Sequence, residues 1–453
     1  MSASPTVVAI ETAVTDYHYD ESKANVALRD QFLASLRPEN PPRKGENLMV
    51  PLQEFEQKLI AFATAHQLTL SGDSQQEQAE SARDQIIGKP TAIEAGGALA
   101  NSFHLMMNAK IDKKSAIPSG VFVTAVGDDP AGKVFADSMQ GFINHPAPQD
   151  RTMVVHSIPI DGDRILISNP DLEKPCQNHM SPEQLDAIDF SRTKMVMLGG
   201  YMKYTGKYDA FLDKLIEKVE AVSQDPAQRP TIVLTAASQD IADSQTLKDA
   251  VAKVTQVAPV VVMANTGEFR RLLGRDSQWR AEHEPKWQAD GTKKEGAALE
   301  QAKQGDKAYQ IDKYLANDDA FRAAFQQYCD GDLPVSFVAT NGKKGVRVLD
   351  NNGISDFYVP PKPPKGVVNT VGGGDAFAGG YLLGQALGLP QRQKADLGFT
   401  AAGQVIGQHE ARLPQTKTED GRSGVTAYLD SNNEMHRKLL ANMRRLQERQ
   451  LAA

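Results

Sequence analysis

The chain has 453 residues, of which 40% are apolar and 24% charged, as is ordinary for a soluble globular protein. This length allows up to three domains of about 150 residues, or one large α/β core with insertions. A formal net charge of −7 argues against a broad surface for nucleic acid or for an anionic membrane.

Cysteine content and the N-terminal segment indicate the compartment. The two cysteines, Cys176 and Cys329, are far apart and have no metal-ligand spacing, which argues against a disulfide framework and a zinc site. Residues 1–16 have no basic region and carry Glu11 inside their apolar run, unlike a secretory signal. No stretch reaches the roughly 18 apolar residues of a membrane helix. We expect a cytoplasmic protein.

The predicted elements begin with a short β-branched strand at 6–10 and a helix at 52–66, and residues 71–84 form a loop or an exposed helix. From residue 95 onward, short apolar strands alternate with amphipathic helices. The predicted strands cover 120–125, 153–158, 164–168, 194–198, 231–235, 257–263, 335–340 and 346–349, and the predicted helices cover 102–109, 208–223, 244–254 and 376–387. This alternation indicates an α/β fold with a doubly wound, mostly parallel sheet.

Two polar segments interrupt or follow this pattern. Residues 270–333 carry clusters of charge and are predicted to be a helical insertion. Residues 436–450 form a basic helix, whose charge is typical of a solvated face rather than a partner site. Neither segment is predicted to contribute to catalysis.

The most informative motif is a run of three glycines, Gly372, Gly373 and Gly374, directly before Asp375 and an apolar helix. Free backbone N–H groups at a helix N-terminus bind anions. A carboxylate beside a bound phosphate is unfavourable unless it must accept a proton from an attacking hydroxyl. The motif therefore predicts phosphoryl transfer to an alcohol. Taken alone it is equally compatible with a plain glycine-rich turn, and it is neither a P-loop nor a dinucleotide motif.

A second glycine motif, Gly96 and Gly97, precedes another helix, with Asn101 one turn later. The glycines allow a ligand to approach the backbone, and the asparagine offers a donor and an acceptor. This pattern suits the hydroxyls of a sugar. The alternative is a tight turn followed by a capped helix.

Asn265 and Glu268 follow a buried strand and lie three residues apart. On the first turn of a helix this spacing places both side chains on one face. They could hold Mg²⁺ through water near phosphate oxygens. They could equally form a capping box that satisfies helix donors, and both roles are compatible.

Two loops complete the set of candidate sites. Thr340, Gly342 and Gly345 join two apolar strands, either as a hairpin turn or as a loop that borders a nucleotide. The polar cluster at 11–16, which ends in Asp16, follows the first strand, where open α/β sheets bind ligands. The alternative for this cluster is ordinary surface-loop chemistry.

In this order the motifs resemble the ribokinase (PfkB) superfamily over about residues 6–430, and most of all its nucleoside kinases, including the inosine–guanosine and adenosine kinases. The resemblance implies a ribokinase-like domain at 1–430, with a small β-rich lid drawn from 17–50 and 118–170. The polar insertion at 270–333 has no counterpart that we can assign, and a C-terminal basic helix occupies 431–453.

The activity that the resemblance implies is ATP-dependent phosphorylation of the 5′-hydroxyl of a purine nucleoside. Asp375 would be the general base, and Gly372, Gly373 and Gly374 would form the anion hole. The ribose would be held by Thr12, Asp16, Gly96, Gly97 and Asn101. ATP would be bordered by Asn265, Thr340, Gly342, Gly345 and Thr370, and Mg²⁺ would be organised through water by Asn265 and Glu268.

Two departures from the family pattern affect these expectations. Gly373 replaces the usual alanine of the motif, and Glu11 and Thr12 stand where the family has a sugar-contacting Asn or Asp. The preferred purine, a monomeric or homodimeric state and a need for a monovalent cation such as K⁺ stay open. The alternatives are a sugar kinase of the same superfamily, a non-catalytic purine-binding relative and, least favoured, a dinucleotide-dependent oxidoreductase.

Overall fold

The protein is described here from a computed structural model. The described residues are 5–20, 25–38, 42, 47–144, 148–160, 163–274, 325–326, 328, 332–351, 355–361, 363, 366–368, 370, 372–408, 412–413, 418–430 and 433–452. Most of the predicted insertion at 270–333 therefore lies outside the described residues.

Two main sheets organise the described chain. The strands are β1 Val7–Ile10, β2 Val14–His18, β3 Asn47–Met49, β4 Ala92–Gly96, β5 Lys110–Ile111, β6 Lys114–Ser115, β7 Gly120–Val123, β8 Ile143–Asn144, β9 Met153–Ile160, β10 Asp163–Asn169, β11 Met195–Leu198, β12 Thr231–Thr235, β13 Val260–Asn265, β14 Val335–Thr340, β15 Val346–Asp350 and β16 Ser355–Tyr358. The large sheet has the order β16-β15-β14-β13-β12-β11-β1-β7-β8, and the small one β3-β10-β9-β2-β4.

The large sheet is parallel from β14 to β8, and its last two edge pairs, β14–β15 and β15–β16, are antiparallel. Its central strands are continuous apolar runs because both faces are covered by helices. In β1, Val7 and Ala9 pack into one hydrophobic cluster, whereas Val8 and Ile10 pack into the other. This architecture confirms the predicted doubly wound α/β fold.

The helices form layers on both sides of this sheet and beyond the small one. They are α1 Val26–Leu36, α2 Leu52–Ala65, α3 Gln75–Ile86, α4 Ala98–Asn108, α5 Pro130–Ser138, α6 Tyr208–Val222, α7 Gln239–Asp243, α8 Gln245–Val254, α9 Thr266–Leu272, α10 Gly373–Leu387, α11 Gln391–Val405 and α12 Glu434–Ala452. Among the described helices, none combines the length and the apolar character needed to cross a membrane.

The small sheet has one apolar and one polar face, as the period of two along a strand dictates. On the apolar face, Ile158, Ile165 and Ile167 pack against side chains of α1, α2 and α3. The register places Asp16 opposite Glu94, and His18 lies two residues along β2 on the same polar face. Helices α1, α2 and α3 therefore cover the apolar, outer face of the small sheet, and its polar face is turned toward the part of the chain that forms the large sheet.

The strands differ from the predicted lid at 17–50 and 118–170. Residues 92–96 supply an edge strand of the small sheet, and β2 begins at Val14. Residues 120–144 instead give β7, α5 and β8 to the large sheet and its helix layer. The reason is that β7 is apolar enough for burial beside β1, with which it pairs in parallel.

The C-terminal helix, predicted as a solvated basic face, is amphipathic. Leu439 and Met443 are completely buried in the cluster that contains α4 and α10. Gln447 donates to the carbonyl of Ser115 at 2.7 Å, which ties the last turns to the β5–β6 hairpin. The boundary predicted at residue 430 therefore does not separate two packing units.

Candidate active site

The glycine run forms the N-terminus of α10. Gly372 has a φ of 72° and takes the N-cap position without a side-chain cap, a conformation that favours glycine. Asp375 is the third residue of the helix. Gly374 is exposed, and a methyl group added to it would touch no atom of the described residues within 4 Å. The first turn of α10 is therefore open on the side of Gly374, although the N–H of Gly373 donates to the carbonyl of Thr370 at 3.3 Å.

Helix α10 packs closely against α4, the helix that follows the second glycine motif. A Cβ at Gly379 would lie 2.7 Å from the carbonyl oxygen of Ser102, so glycine permits this approach. The hydroxyl of Ser102 lies 2.9 Å from the carbonyl oxygens of both Ala98 and Asp375. Two separate motifs of the sequence thus meet at the N-terminal ends of packed helices.

A hydrogen bond joins the two predicted site residues Asn101 and Asp375. The Asn101 amide donates to Asp375 Oδ2 at 3.1 Å. Burial raises the pKa of Asp375 above its ordinary value, and the Asn101 donor with the nearby Arg164 and Arg412 charges moderates this rise. A carboxylate that is a stronger base than usual suits proton abstraction.

Glu11 lies behind these helices and is fully buried. Its Oε2 accepts from the N–H of Leu99 at 3.0 Å, in the first turn of α4. Burial raises the pKa of Glu11 to about 8, and the nearby Asp375 charge adds to this rise. Gly199 packs so closely on the carboxyl group that a Cβ would lie 1.9 Å from Oε1. Glu11 thus occupies the N-terminus of α4.

The polar face of the small sheet supplies the other charged groups. Glu94 Oε1 lies 3.0 Å from His18 Nε2. Burial raises the pKa of Asp16 to about 6, against the opposing effects of the His18 and Arg412 charges. Burial by itself would lower the pKa of His18, but the bond to Glu94 and the charge of Asp16 raise it overall. A substrate with several hydroxyl groups would find carboxylate acceptors here.

Arg164 of β10 connects the small sheet to the loop before α10. Its Nη1 donates to the hydroxyl of Thr370 at 3.0 Å. Its charge also lowers the pKa of Asp375, in opposition to the effect of burial. The predicted site residue Thr370 is therefore reached by a cation that is distant in sequence.

A cleft with about 550 Å³ of empty space opens beside Asp375. Asn265, Glu268 and Thr340 line it together with Gly374. The structure thus brings the ends of β13 and β14 to the start of α10, as expected of strand ends in an open α/β sheet.

Asn265 and Glu268 form the capping box that the sequence left as one alternative. Asn265 Oδ1 accepts from the N–H groups of Gly267 and Glu268 at 2.9 and 3.0 Å, and Glu268 Oε2 accepts from the Asn265 N–H at 2.8 Å. Because both residues also line the cleft, capping and ligand binding remain compatible. Within the described part of the chain, no three His, Cys, Asp or Glu side chains could hold a metal ion together.

Three of the predicted site residues, Gly342, Gly345 and Thr12, have surroundings that differ from those of the other predicted site residues. Gly342 and Gly345 form the turn between β14 and β15 and do not line the cleft. Gly345 has a structural reason for its identity, since its φ is 114° and a Cβ would lie 2.1 Å from the Tyr358 carbonyl oxygen. Thr12 is buried, and its hydroxyl has no partner among the described residues.

Of the glycines of the second motif, Gly97 has a φ of 89° at the N-cap of α4, and Gly96 ends β4 beside Asp16. A Cβ at Gly96 would lie 2.1 Å from Asp16 Cγ, so this glycine makes room for the carboxylate. The predicted acceptor residues Asp16, Gly96, Gly97 and Asn101 therefore lie around the junction of the two sheets.

Sequence reasoning missed Arg164 and Arg412. Arg412 Nε donates to Asn101 Oδ1 at 2.8 Å, and Nη1 donates to the hydroxyl of Ser138. Neither arginine belongs to a local motif: Arg164 is in a short strand, and Arg412 is in an irregular segment after α11. No signal in the sequence pointed to their partners.

Comparisons with known proteins agree with this geometry. Residues 317–418, which include Thr370, the glycine run and Asp375, match the model of the pfkB family carbohydrate kinases. The fold resembles that of a probable sugar kinase from Rhizobium etli CFN 42, with a TM-score of 0.56, 16% identity and coverage of 91% of this chain and 96% of that one. The predicted resemblance to pfkB family kinases is therefore supported for this segment.

Two curated relatives match parts of this chain. A cytidine kinase from Thermococcus kodakarensis is 42% identical over 69 residues, which are 15% of this chain and 24% of that protein. An adenosine kinase from Saccharomyces cerevisiae is 30% identical over 110 residues, which are 24% of this chain and 32% of that protein. The matches span about a quarter to a third of the length of these relatives.

Proposed function

We propose that the protein is a kinase that transfers the terminal phosphoryl group of ATP to the 5′-hydroxyl of a purine nucleoside. The observation that carries this proposal is the placement of Asp375. It lies in the open first turn of α10, it is held by Asn101, and it lines a cleft at the strand ends of the large sheet. A base beside an anion site suits phosphoryl transfer to an alcohol.

In the proposed reaction, Asp375 accepts the proton of the 5′-hydroxyl. The hydroxyl oxygen forms a bond to the γ-phosphorus while the bond from that phosphorus to the β–γ bridging oxygen breaks, and ADP leaves with the electron pair. The raised pKa of Asp375 makes its carboxylate a better proton acceptor than an exposed aspartate. A positioned base of this kind contributes about 10²–10⁴-fold to the rate.

The first turn of α10 would hold the transferred phosphoryl group. Gly372 turns the chain into the helix, and Gly374 leaves the approach open. The helix dipole and the N–H groups of the first turn favour the developing negative charge. Arg164, which contacts Thr370, would add a positive charge on the side of the small sheet.

ATP would occupy the cleft that Asn265, Glu268 and Thr340 line. The donor set fits Mg²⁺ bound mainly by phosphate oxygens and water, because Glu268 supplies one carboxylate near Asp375 and Mg²⁺ usually keeps several waters. When bound, the ion would neutralise charge on the phosphates. Glu268, with Asn265 beside it, would hold its waters. A need for K⁺ remains for experiment.

The acceptor would lie between the polar face of the small sheet and the N-terminus of α4. Asp16 and Glu94 offer acceptors for ribose hydroxyls, and Gly97 allows close approach to the backbone. Two curated relatives are named cytidine kinase and adenosine kinase, which supports a nucleoside as acceptor. The resemblance of the motifs to the inosine–guanosine and adenosine kinases favours a purine. The product monophosphate would return a nucleoside to the nucleotide pool of the cytoplasm.

We also propose that the small sheet, with α1, α2 and α3 on its outer face, acts as the lid over the acceptor. Its polar face carries the charged groups near Asp375, and Arg164 spans from it to Thr370. Closure of such a lid would exclude water from the phosphoryl group.

The experiment is ADP release by the full chain with ATP and Mg²⁺, tested against inosine, guanosine, adenosine, cytidine, ribose and fructose. We expect turnover with at least one purine nucleoside and identification of its 5′-monophosphate. Turnover with ribose or fructose alone would replace the proposal with a sugar kinase. Purine binding without ADP release from any acceptor would indicate a non-catalytic relative.

A further inference from the structure

Arg412 lies in the segment after α11 and contacts two other elements through its side chain. Its guanidinium is held on two sides, since Nε donates to Asn101 in α4 and Nη1 donates to Ser138 at the end of α5. Its main-chain carbonyl accepts from the side chain of Gln408. The remaining terminal nitrogen, Nη2, is buried and has no partner among the described residues. The Arg412 side chain is therefore held in one orientation.

The bond from Arg412 decides which way the Asn101 amide faces. An arginine has only donors, so the atom of Asn101 that it contacts must be the carbonyl oxygen. The amide nitrogen of Asn101 then points the other way and donates to Asp375 Oδ2 at 3.1 Å. If the Asn101 amide were rotated by half a turn, its NH2 group would face the Arg412 donor and its oxygen would face the Asp375 carboxylate. Both contacts would be unfavourable. Arg412 thus orients Asp375 through Asn101.

The charge of Arg412 acts on the same carboxylate. Arg412 and Arg164 both favour the ionised form of Asp375. The other titratable groups that interact electrostatically with Asp375 are Glu11, Asp16 and Tyr201. Because burial opposes ionisation of Asp375, a cation held at a fixed distance favours the deprotonated form of the base.

We propose that Arg412 is a positioning residue for the phosphoryl-transfer step: it fixes the Asn101 amide and keeps Asp375 oriented and ionised. This inference rests on the proposed function, because it explains the Arg412–Asn101 contact by the role of Asp375 as the base of that reaction. It adds a residue outside the glycine and asparagine motifs. The charge and the fork geometry of the guanidinium are separate requirements, so they can be tested separately.

The first test measures steady-state kinetics of Arg412→Met and Arg412→Lys with Arg449→Ala as control, because Arg449 is exposed on α12. We expect Arg412→Met to lower kcat by about tenfold or more while KM for ATP changes by less than about threefold. The acidic limb of the kcat/KM profile should move to higher pH. Arg412→Lys should keep the limb near its original pH but still lower kcat, because an ammonium lacks the fork.

A second readout is independent of turnover. The carboxyl carbon of Asp375 is followed by ¹³C NMR in protein labelled at aspartate, with Asp375→Asn used for assignment. We expect its titration to move to higher pH in Arg412→Met and to stay unchanged in Arg449→Ala. If the wild-type protein proves inactive but this shift occurs, the link between Arg412 and Asp375 stands and the proposed function falls.

Two outcomes would overturn the proposal. One is an unshifted Asp375 titration in Arg412→Met. The other concerns the double variant Arg412→Met, Asn101→Ala. Residues that act through one another lower kcat together by less than the product of their separate effects. A double variant that shows the full product would therefore contradict the proposal. If Arg412→Met fails to fold, Arg412→Lys and Ser138→Ala decide. Each should lower kcat in a folded protein, and normal kcat in both would reject the role.

Discussion

Helices α4 and α10 both begin with glycine at the N-cap, yet their first turns differ. The N-terminus of α4 contains a protein acid: Glu11 accepts from the Leu99 N–H and is fully buried. The N-terminus of α10 has no side-chain cap, and the space beside Gly374 is open. A helix start with one donor taken by a buried carboxyl group is less suited to an anion than an open one. The same local pattern thus accommodates a protein side chain in α4 and leaves an open helix start in α10.

The difference assigns a role to each end of the Asn101–Asp375 hydrogen bond. Asp375 is in the open turn and can reach a substrate, whereas Asn101 is in a turn that Glu11 and Arg412 hold in place. We therefore expect changes on α10 to affect chemistry and ATP binding. Changes on α4 should affect the orientation of the base, the acceptor and stability.

The largest effect is expected for Asp375→Asn, which removes the proposed base but keeps its shape. We expect kcat to fall by at least about 10²-fold, while the affinities for nucleoside and ATP stay within about tenfold. The kcat/KM of the wild-type protein should also fall on acidification, and this fall should begin at a higher pH than for an ordinary aspartate. The reason is that burial raises the pKa of Asp375. Stopped turnover assays at several pH values measure kcat and kcat/KM, and equilibrium dialysis measures the affinities for nucleoside and ATP. Near-normal turnover would remove Asp375 from the mechanism.

Asn101→Ala should have the next largest effect. It removes the donor to Asp375 and a predicted acceptor contact, so we expect kcat to fall by about tenfold and KM for the nucleoside to rise far more than KM for ATP. Initial rates with each substrate varied in turn separate the two constants. Equal increases in both KM values would move Asn101 out of the acceptor site.

Gly374→Ala tests whether the first turn of α10 is open for phosphate. The added methyl group meets no atom of the described part of the chain within 4 Å, so the free energy of unfolding should stay constant or rise by up to about 1 kcal/mol. KM for ATP should rise about fivefold, because the methyl group would occupy the approach to the anion site. Urea unfolding and ATP-dependent initial rates provide the two measurements.

The matched control is Gly97→Ala at the start of α4. Its nearest contacts would be ordinary ones at 3.6–3.8 Å, but its φ of 89° is strained for alanine. It should therefore lose about 1 kcal/mol or more of stability. A Gly374→Ala protein that is destabilised and has a normal KM for ATP would contradict the contrast between the two helices.

The smallest effect is expected for Glu11→Gln, which mimics the protonated acid at the start of α4. The pKa of Glu11 is raised to about 8, so the folded state binds this proton more tightly than the unfolded state does. Wild-type stability should therefore fall as pH rises from about 4.5 to 8. The variant should match wild type near pH 5 and melt a few degrees higher at pH 9. Equal melting temperatures at both pH values would contradict the assignment.

Strands with continuous β-branched runs were predicted correctly because burial on both faces leaves a strong local pattern. The predicted strands at 231–235 and 335–340 coincide with β12 and β14. The small sheet was predicted less well. Its strand β4 consists of small residues around Ile93 and Glu94, and β2 continues directly from the site loop, so neither carries a clear apolar signal.

The candidate site shows the same division. Asp375, its glycines, Asn265 and Glu268 could be proposed from the sequence because each lies in a compact motif at a helix start. Gly342 and Gly345 were included because their loop follows a strand end, but they form a turn outside the cleft. The arginines were missed because their partners lie far along the chain.

By itself, the sequence determined the local conformations around the proposed chemistry. Three glycines before an aspartate produce an uncapped helix start, and Asn265 with Glu268 produces a capping box, because both depend on a few adjacent residues. Only the tertiary structure decided what holds the aspartate. The Arg412–Asn101 bond joins residues 311 positions apart, and the Asn101–Asp375 bond joins residues 274 apart. Such contacts arise from the packing of whole helices, which no local pattern specifies.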